Sequence, residues 1–443
     1  MRLSFYTIGL GSFLLSGCIR MDWRGGTLPH LEIVREKKTS ELHSGLLSSD
    51  FSPQRKLEDW PQFRGPQRDG IANPQNANID WTILPTQVWR RKIGEGHSSV
   101  IVGSNAIITF EQKGELECLT ARSANDGHEL WKVCEKNRWN DSFGGVGPRS
   151  TPTLINGKVF ALFTNGMLHC VNLADGKELW KEKVIEEQYV FPEWGISCSP
   201  LVWKNHVILN LGGQKSAAQA RSITSGELIW TSDLVGKSAY LSPSILEFSG
   251  KKHLIVGIEG KIAGLDPMSG KTLWEHPWKI FLNNVQIAQP LKLFDDSFLL
   301  SAGYGKGAER ISVKKSGDHY LLETVWKTKN LKAKFSNPVI RNGFIYGMSE
   351  NTLVCLDAVN GSLMWRGNKY GYGRVLLAED KILILGNTGK LSVVEANPNE
   401  FVEISSSPLL SKVRCWNGPA LVNGYLIARN GEELAFFDWS SSL

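Results

Sequence analysis

An all-β fold is what this sequence predicts: an eight-bladed β-propeller of four-stranded antiparallel blades, the last blade closed by an N-terminal strand. Three observations carry the expectation. A turn glycine is followed four residues later by tryptophan five times, at Gly127/Trp131, Gly176/Trp180, Gly226/Trp230, Gly270/Trp274 and Gly361/Trp365. Successive tryptophans of this series, with Trp326 added, fall roughly 40 to 50 residues apart, the period of a propeller blade. The chain ends supply the third. The last unit, Trp416 to Trp439, has about three strands' worth of sequence, whereas Gln87-Val-Trp89-Arg-Arg-Lys-Ile93 is a lone strand with the unit's tryptophan and no hairpin before it. The two fragments complete one blade, which favours a closed ring over an open solenoid.

The elements follow in order. Residues 1–17 read as a lipoprotein signal peptide. Arg2 opens a short basic region, and Leu3 to Leu15 is apolar but too short to span about 30 Å of hydrocarbon. Leu15-Ser16-Gly17-Cys18 resembles the bacterial lipobox, which implies cleavage before Cys18 and a diacylglycerol anchor on it; the alternative is an ordinary signal peptide with a chance cysteine. Ile19 after the cysteine looks like sorting to the outer membrane of the bacterial envelope, with the mature chain facing the periplasm. Residues 18–57 are polar and aperiodic and read as a flexible tether. Residues 58–439 form the propeller, with 58–85 a lead segment and 86–93 the closing strand. Units begin at Ser98, Ser150, Ser197, Ala239, Ile287, Ser336, Arg374 and Trp416. Within each, apolar strands flank turns such as Ala174-Asp175-Gly176 and Asn156-Gly157, where glycine accepts the positive φ a hairpin demands. Two units are irregular: one turns at Ser316-Gly317-Asp318, and the seventh has Phe401 where tryptophan is expected.

The periodic tryptophans read as packing wedges between blades, because a flat ring buries a large apolar area at modest entropic cost. Cys118, Cys170 and Cys355 look equivalent in their hairpins (Glu-Cys-Leu, His-Cys-Val, Val-Cys-Leu) and read as small core fillers. Reflecting the first hairpin about Asp126 places Cys134 opposite Cys118, where an oxidising envelope can join them as a disulfide. The 44 glycines and 42% apolar content suit a turn-rich β protein, and the net charge of +6 comes from scattered clusters such as Arg90-Arg91-Lys92 and Lys314-Lys315. Scattered charge of this kind reads as solvated strand ends, so nucleic acid is not an expected partner. No zinc-type Cys/His spacing, P-loop, nucleophile elbow or calcium loop is present, and Ser312 with Lys315 matches a Ser-x-x-Lys pattern only by chance. Neither a catalytic residue nor a metal site is expected.

Leu265-Asp266-Pro-Met-Ser-Gly270-Lys271-Thr-Leu-Trp274 and Leu356-Asp357-Ala358-Val-Asn-Gly361-Ser-Leu-Met-Trp365 resemble the pyrroloquinoline-quinone (PQQ) type propeller repeat. The likeness covers nearly everything from Asp59 onward. Asp59-Trp-Pro-Gln-Phe-Arg64-Gly-Pro-Gln-Arg68-Asp-Gly70 is similar to the opening motif of PQQ-binding-like repeat proteins abundant in planctomycetes and verrucomicrobia. Gly147-Pro-Arg149-Ser-Thr-Pro152, Trp194-Gly-Ile-Ser-Cys-Ser-Pro200 and Ser301-Ala-Gly-Tyr304-Gly-Lys306-Gly307 look like further segments of that group. In anchor, size and blade count the chain also resembles the BamB-type lipoproteins of outer-membrane β-barrel assembly. The dehydrogenases of this superfamily imply an adjacent cysteine pair stacked on the quinone, a calcium ion and often a Cys-x-x-Cys-His haem segment. No two cysteines of this chain are adjacent, none are three apart, and no haem attachment segment is present. Three readings follow: a non-catalytic, monomeric scaffold for an envelope protein or polymer, with no cofactor; a PQQ- and calcium-dependent alcohol or polymer dehydrogenase; or a carbohydrate or small-metabolite binder. Polar and aromatic residues just before inner strands are the candidates for the channel face: Arg149, Trp194, Tyr304 and Lys306. The plainer reading pairs Arg149 with a neighbouring carboxylate and lets Trp194 cover a loop.

Overall fold

The computed structural model describes residues 17–22, 30–35, 57–74, 77–281 and 285–440. The expected signal peptide and much of the expected tether lie outside the described residues. The chain divides into two units, residues 1–55 and 56–443. In the first, Gly17–Asp22 and His30–Arg35 pair as an antiparallel hairpin, Cys18 standing opposite Val34.

The second unit is built of eight sheets in chain order, seven of four strands and one of five. Their inner strands are Ile101–Gly103, Thr153–Ile155, Leu201–Trp203, Ser244–Phe248, Leu291–Lys292, Val339–Arg341, Arg374–Ala378 and Ala420–Val422, numbered here blades 1 to 8. Each blade runs antiparallel from inner to outer strand. The loops entering the inner strands therefore share one end of the ring, the upper face, with the turns between second and third strands. The remaining turns lie on the lower face. Blade 8 is closed by Thr86–Lys92, which pairs antiparallel with Glu433–Asp438, Trp89 opposite Phe436. Each blade packs on both faces, so a middle strand can be a continuous apolar run: Ile382, Leu383, Ile384 and Leu385 of blade 7 are all fully buried, whereas the middle strands of blade 1 also bury Glu111 and Glu117.

A register shift recurs where the third and outer strands pair, and beside it stands the tryptophan. Trp131, Trp180, Trp230, Trp274, Trp326, Trp365 and Trp89 face Ala121, Cys170, Ala220, Gly264, Arg310, Cys355 and Phe436 at that shift. The bulge twists the outer strand and aims the ring at the following blade. There it lies against the turn glycine: a Cβ on Gly127, Gly176, Gly226 or Gly361 would fall 2.7 to 2.8 Å from the ring of Trp89, Trp131, Trp180 or Trp326. Five of the indoles donate to a carbonyl of that next turn, as Trp131 does to Leu173 at 2.8 Å. Blade 5 breaks the pattern. Its third and outer strands, Gly307–Ser316 and His319–Thr328, extend past the usual turn, so Trp274 donates instead to His253 of its own blade at 2.8 Å and stacks on Phe298.

Two sequence expectations need correcting. Phe401 is not at the tryptophan position of blade 7: Ser405 faces Val393 there, because the preceding connection is longer and lacks the turn glycine. Phe401 packs backward onto Trp365, ring centroids 5.4 Å apart. The missing wedge comes from the lead segment, whose buried Trp81 meets Trp439 edge-on at 5.0 Å and accepts a backbone hydrogen bond from the Ser405 hydroxyl. Cys118 is likewise not equivalent to Cys170 and Cys355. Those two face Trp180 and Trp365, a place Ala121 fills in blade 1, while Cys118 faces Cys134 and is joined to it by a disulfide.

The lead segment also crosses the axis. Trp60 exchanges backbone hydrogen bonds with Val102 of blade 1, both 2.9 Å, and Pro61 accepts one from Leu154 of blade 2 at 2.7 Å. The Arg68 guanidinium donates to Ser199 and Pro200 carbonyls before blade 3, at 3.2 and 3.0 Å, and that of Arg64 to the Pro338 carbonyl before blade 6, at 3.1 Å. Ile71–Ala72 then run parallel to Leu377–Ala378 as the fifth strand of blade 7. Gly65 and Gly70 make the fold-back possible: both have positive φ, and a Cβ there would lie 2.7 Å from Trp60 and 2.8 Å from Arg64.

Candidate functional site

The upper face gathers aromatic rings and cations from nearly every inter-blade loop. After blade 1, Asn140–Asp141 and Gly145–Val146 form a small ribbon. It presents the Asp141 carboxylate to Arg149, which also donates to the Gly145 carbonyl at 2.8 Å. Burial lowers the Arg149 guanidinium to about 10, so it stays charged at neutral pH. His97, ahead of blade 1, is held against the Gly144 carbonyl at 2.6 Å; burial, then Arg149 and Arg414, push its imidazole well below the usual range and keep it neutral.

Trp194, ahead of blade 3, lies 5.3 Å from the Tyr240 ring and receives the edge of Phe143 at 6.4 Å. Its main-chain N–H donates to the Tyr240 hydroxyl at 3.2 Å, while its buried indole N–H has no partner among the described residues. Arg414, ahead of blade 8, donates to the Phe143 and Gly144 carbonyls at 3.0 and 2.6 Å and covers the Trp416 ring at 4.9 Å. Trp416 stacks on Phe335 at 5.0 Å. Beside Phe335, the Lys334 ammonium stands 4.4 Å from the Tyr304 ring and 5.1 Å from that of Tyr372, a cation held by aromatic faces. Tyr240 and Tyr304 both take positive φ, 71 and 56°, conformations rare outside glycine and concentrated at binding sites. Burial raises both phenols, so they remain protonated donors.

Arg149, Trp194 and Tyr304 thus belong to one surface, and Lys306 does not. Its ammonium turns outward over Trp278, 4.0 Å from the ring, and pairs with Glu309 at 3.4 Å. It lines a separate cleft of about 250 Å³ with Glu309, Lys327 and Lys329. Arg149 meets a carboxylate of its own inter-blade loop rather than a neighbouring blade's. Arg149 and Trp194 stand just before an inner strand as expected, but Tyr304 and Lys306 do not: they lie in the turn between the second and third strands of blade 5, Ser297–Ala302 and Gly307–Ser316. The sequence reading missed Tyr240, Lys334, Phe335, Tyr372, Arg414 and Trp416, although each does stand just before an inner strand. What the arrangement offers is flat apolar surface edged by fixed cations and neutral hydroxyls, a chemistry of binding.

The family model described as outer membrane protein assembly factor BamB matches residues 112–367, more than half of the chain. The outer membrane protein assembly factor BamB of Shewanella oneidensis is 23% identical over 338 residues, covering 70% of this chain and 77% of that protein. The crystal structure of BamB from Moraxella catarrhalis superposes with a TM-score of 0.58 at 13% identity, covering 80% of this chain and 100% of that one. The quinohemoprotein alcohol dehydrogenase of Comamonas testosteroni does so at 0.60 with 12% identity, covering 87% and 81%. At such identities the two structures speak to the propeller fold alone. The extent of the family match decides the rest: this chain is a PQQ-like propeller belonging to the outer membrane protein assembly factor BamB family.

Proposed function

We propose that this chain is a non-catalytic scaffold of the bacterial envelope, anchored by lipid on Cys18, facing the periplasm from the outer membrane, and docking a protein partner on its upper face. One observation carries the reading: four consecutive upper loops expose large apolar side chains, Phe143 at 43%, Val190 at 68%, Val235 at 51% and Phe281 at 77%. Apolar groups repeated on one face, rimmed by cations and hydroxyls, mark an interaction surface. Family membership and the assembly role named for the Shewanella relative support a partner from the β-barrel assembly apparatus. The ring acts as a monomer in this reading. PQQ with calcium stays outside it: the adjacent cysteine pair is missing, and residues 60–72 thread the axis where a flat cofactor would stack.

A photo-crosslinking residue placed at Phe143, Val190 or Phe281 in living cells tests the docking surface, with Leu228, 52% exposed on the outer strand of blade 3, as control. Adducts with an assembly subunit at the upper positions, lost in a Val190→Asp/Phe281→Asp variant, are expected. Equal adducts from Leu228, or none from the upper loops, would sink the reading. Mass analysis of the Cys18 peptide tests the anchor separately, and a melting temperature unmoved by PQQ with calcium tests the exclusion of a quinoprotein.

A further inference from the structure

We propose that the cleft beside Lys306 binds a phosphomonoester, the dianionic head of a lipid or of a soluble sugar phosphate, through the ammonium groups of Lys306, Lys327 and Lys329. The turn that carries Lys306, residues 303–306, is pressed against the end of blade 5's outer strand: a Cβ on Gly307 would collide with the Thr328 carbonyl. Lys329 ties the two segments together, its ammonium donating to the Gly305 and Lys306 carbonyls at 2.7 and 3.0 Å. From the loop before blade 5, the Trp278 ring supports the Lys306 ammonium at 4.0 Å. The resulting cleft of about 250 Å³ is lined by the three lysines, Ala308, Glu309 and Thr328.

Two of the cations converge on one oxygen. Glu309 Oε1 lies 3.4 Å from Lys306 Nζ and 3.5 Å from Lys327 Nζ, while Oε2 lies 3.7 Å from His276 Nε2. Both ammoniums are therefore within reach of a single bound group. Their separations from Oε1 exceed the about 2.7–2.9 Å of a closed charge-assisted hydrogen bond, so each keeps N–H donors to spare. Lys329 spends its donors on carbonyls, which satisfy N–H groups without neutralising the charge. Burial would lift the Glu309 carboxyl, but His276, Lys306 and Lys327 outweigh it and hold it down at about 2, ionised at neutral pH. Three ammoniums thus face one carboxylate, and the cleft carries an excess of two positive charges.

A comparison around the ring is independent of this count. Glu309 faces Lys327, the residue after the tryptophan, across the third and outer strands. At the corresponding place blades 4 and 8 have Ala263 and Ala435, blade 6 has Val354 and blade 7 has Ser392; among the described residues no other blade has an acid there. A buried carboxylate where its counterparts are neutral costs free energy that the blade itself does not require. Its effect is to gather lysines that would otherwise repel one another. The ligand class follows from charge, donor type and size. A phosphomonoester carries about −1.5 to −2 charge at pH 7, which matches the excess. Ammoniums act on phosphoryl oxygens as compact point charges, whereas the guanidinium fork that matches a planar carboxylate is absent from the lining. The cleft is smaller than the roughly 300–1,000 Å³ of sites for drug-sized ligands, which suits a headgroup. The site does not rest on the docking reading.

Calorimetric titration of the full chain with inorganic phosphate and with glycerol phosphate, against sodium chloride at equal ionic strength, tests the proposal. One-to-one binding is expected, weakened about tenfold in Lys327→Gln and further in Lys306→Gln/Lys327→Gln. It should be unchanged in Lys314→Gln/Lys315→Gln, which removes the same charge from the same blade outside the cleft. Lys327 is 65% exposed, so its replacement leaves folding intact. Phosphatidylcholine vesicles doped with phosphatidic acid identify the source, wild type and Lys306→Gln/Lys327→Gln being compared on the same vesicles so that any anchor cancels. Weaker binding by the variant, not seen on phosphatidylglycerol vesicles of equal surface charge, assigns the phosphoryl group to a lipid; equal binding with glycerol phosphate still held by wild type assigns it to a soluble molecule. Heats no larger than chloride gives, affinity retained in Lys306→Gln/Lys327→Gln, or equal loss in Lys314→Gln/Lys315→Gln would overturn the proposal.

Discussion

Replacing Gly176 by alanine isolates the contact that repeats around the ring. Gly176 and Gly157 belong to the same blade and have nearly the same backbone, φ of 71 and 70°. Only their surroundings differ. A Cβ on Gly157 would meet nothing within 4 Å, whereas one on Gly176 would lie 2.7 Å from the Trp131 ring. Both substitutions carry the left-handed penalty of about 1–2 kcal/mol. Gly176→Ala adds the overpacking cost of forcing a wedged indole outward, typically about 1–3 kcal/mol, and strains the hydrogen bond from Trp131 Nε1 to the Leu173 carbonyl. Urea unfolding followed by fluorescence should therefore rank Gly157→Ala at about 1–2 kcal/mol and Gly176→Ala at about 2–5 kcal/mol below wild type. In a Trp131→Ala background the excess should vanish, because the atoms that clash are gone. Equal losses for the two glycines, or an excess that survives removal of Trp131, would show that the turn needs glycine for φ alone and that the wedge is incidental.

The remaining expectations concern blade 1 and its neighbour. Burial raises the Glu117 carboxyl from its ordinary 4.5 to about 7, against hydrogen bonds from the Thr164 hydroxyl and from Asn137, both 2.6 Å. The folded state then holds a proton that the unfolded chain has released. Its contribution is fully present below about pH 4.5 and fades as pH rises through about 7, a loss on the order of 3 kcal/mol. Urea midpoints measured across that window should fall in wild type by that amount relative to Glu117→Gln, and parallel profiles would refute it. The Cys118–Cys134 link spans 16 residues, so replacing both by serine should cost about 3 kcal/mol; a peptide map without reductant that finds both thiols free would refute the pairing in the cell.

Much of the ring is written locally. The alternation of apolar runs and glycine turns, the tryptophan period and the complementary chain ends lead to eight blades and their closure, because a hairpin's register depends only on residues within it. Counting outward from Asp126 likewise brings Cys134 opposite Cys118. The same counting misplaces Phe401, since a longer connection without glycine shifts the register, and it overlooks Trp81, which enters between blades from outside the repeat. The upper face is partly legible: the position before an inner strand points to Arg149 and Trp194, whereas Tyr304 reaches that face from the turn between the second and third strands of blade 5. Lys306 shares that turn, and its outward course is decided by Trp278 from the preceding inter-blade loop and by Glu309 three residues on.

The repeating unit and the number of copies are written in the chain, for they rest on short-range periodicity and backbone sterics. The course of residues 60–72 across the inner strands of blades 1, 2, 3, 6 and 7 arises only on folding. Arg64 reaches the Pro338 carbonyl 274 residues away. No local pattern encodes such a meeting, because it exists only once the ring has closed and its inner strands present their carbonyls to a common centre.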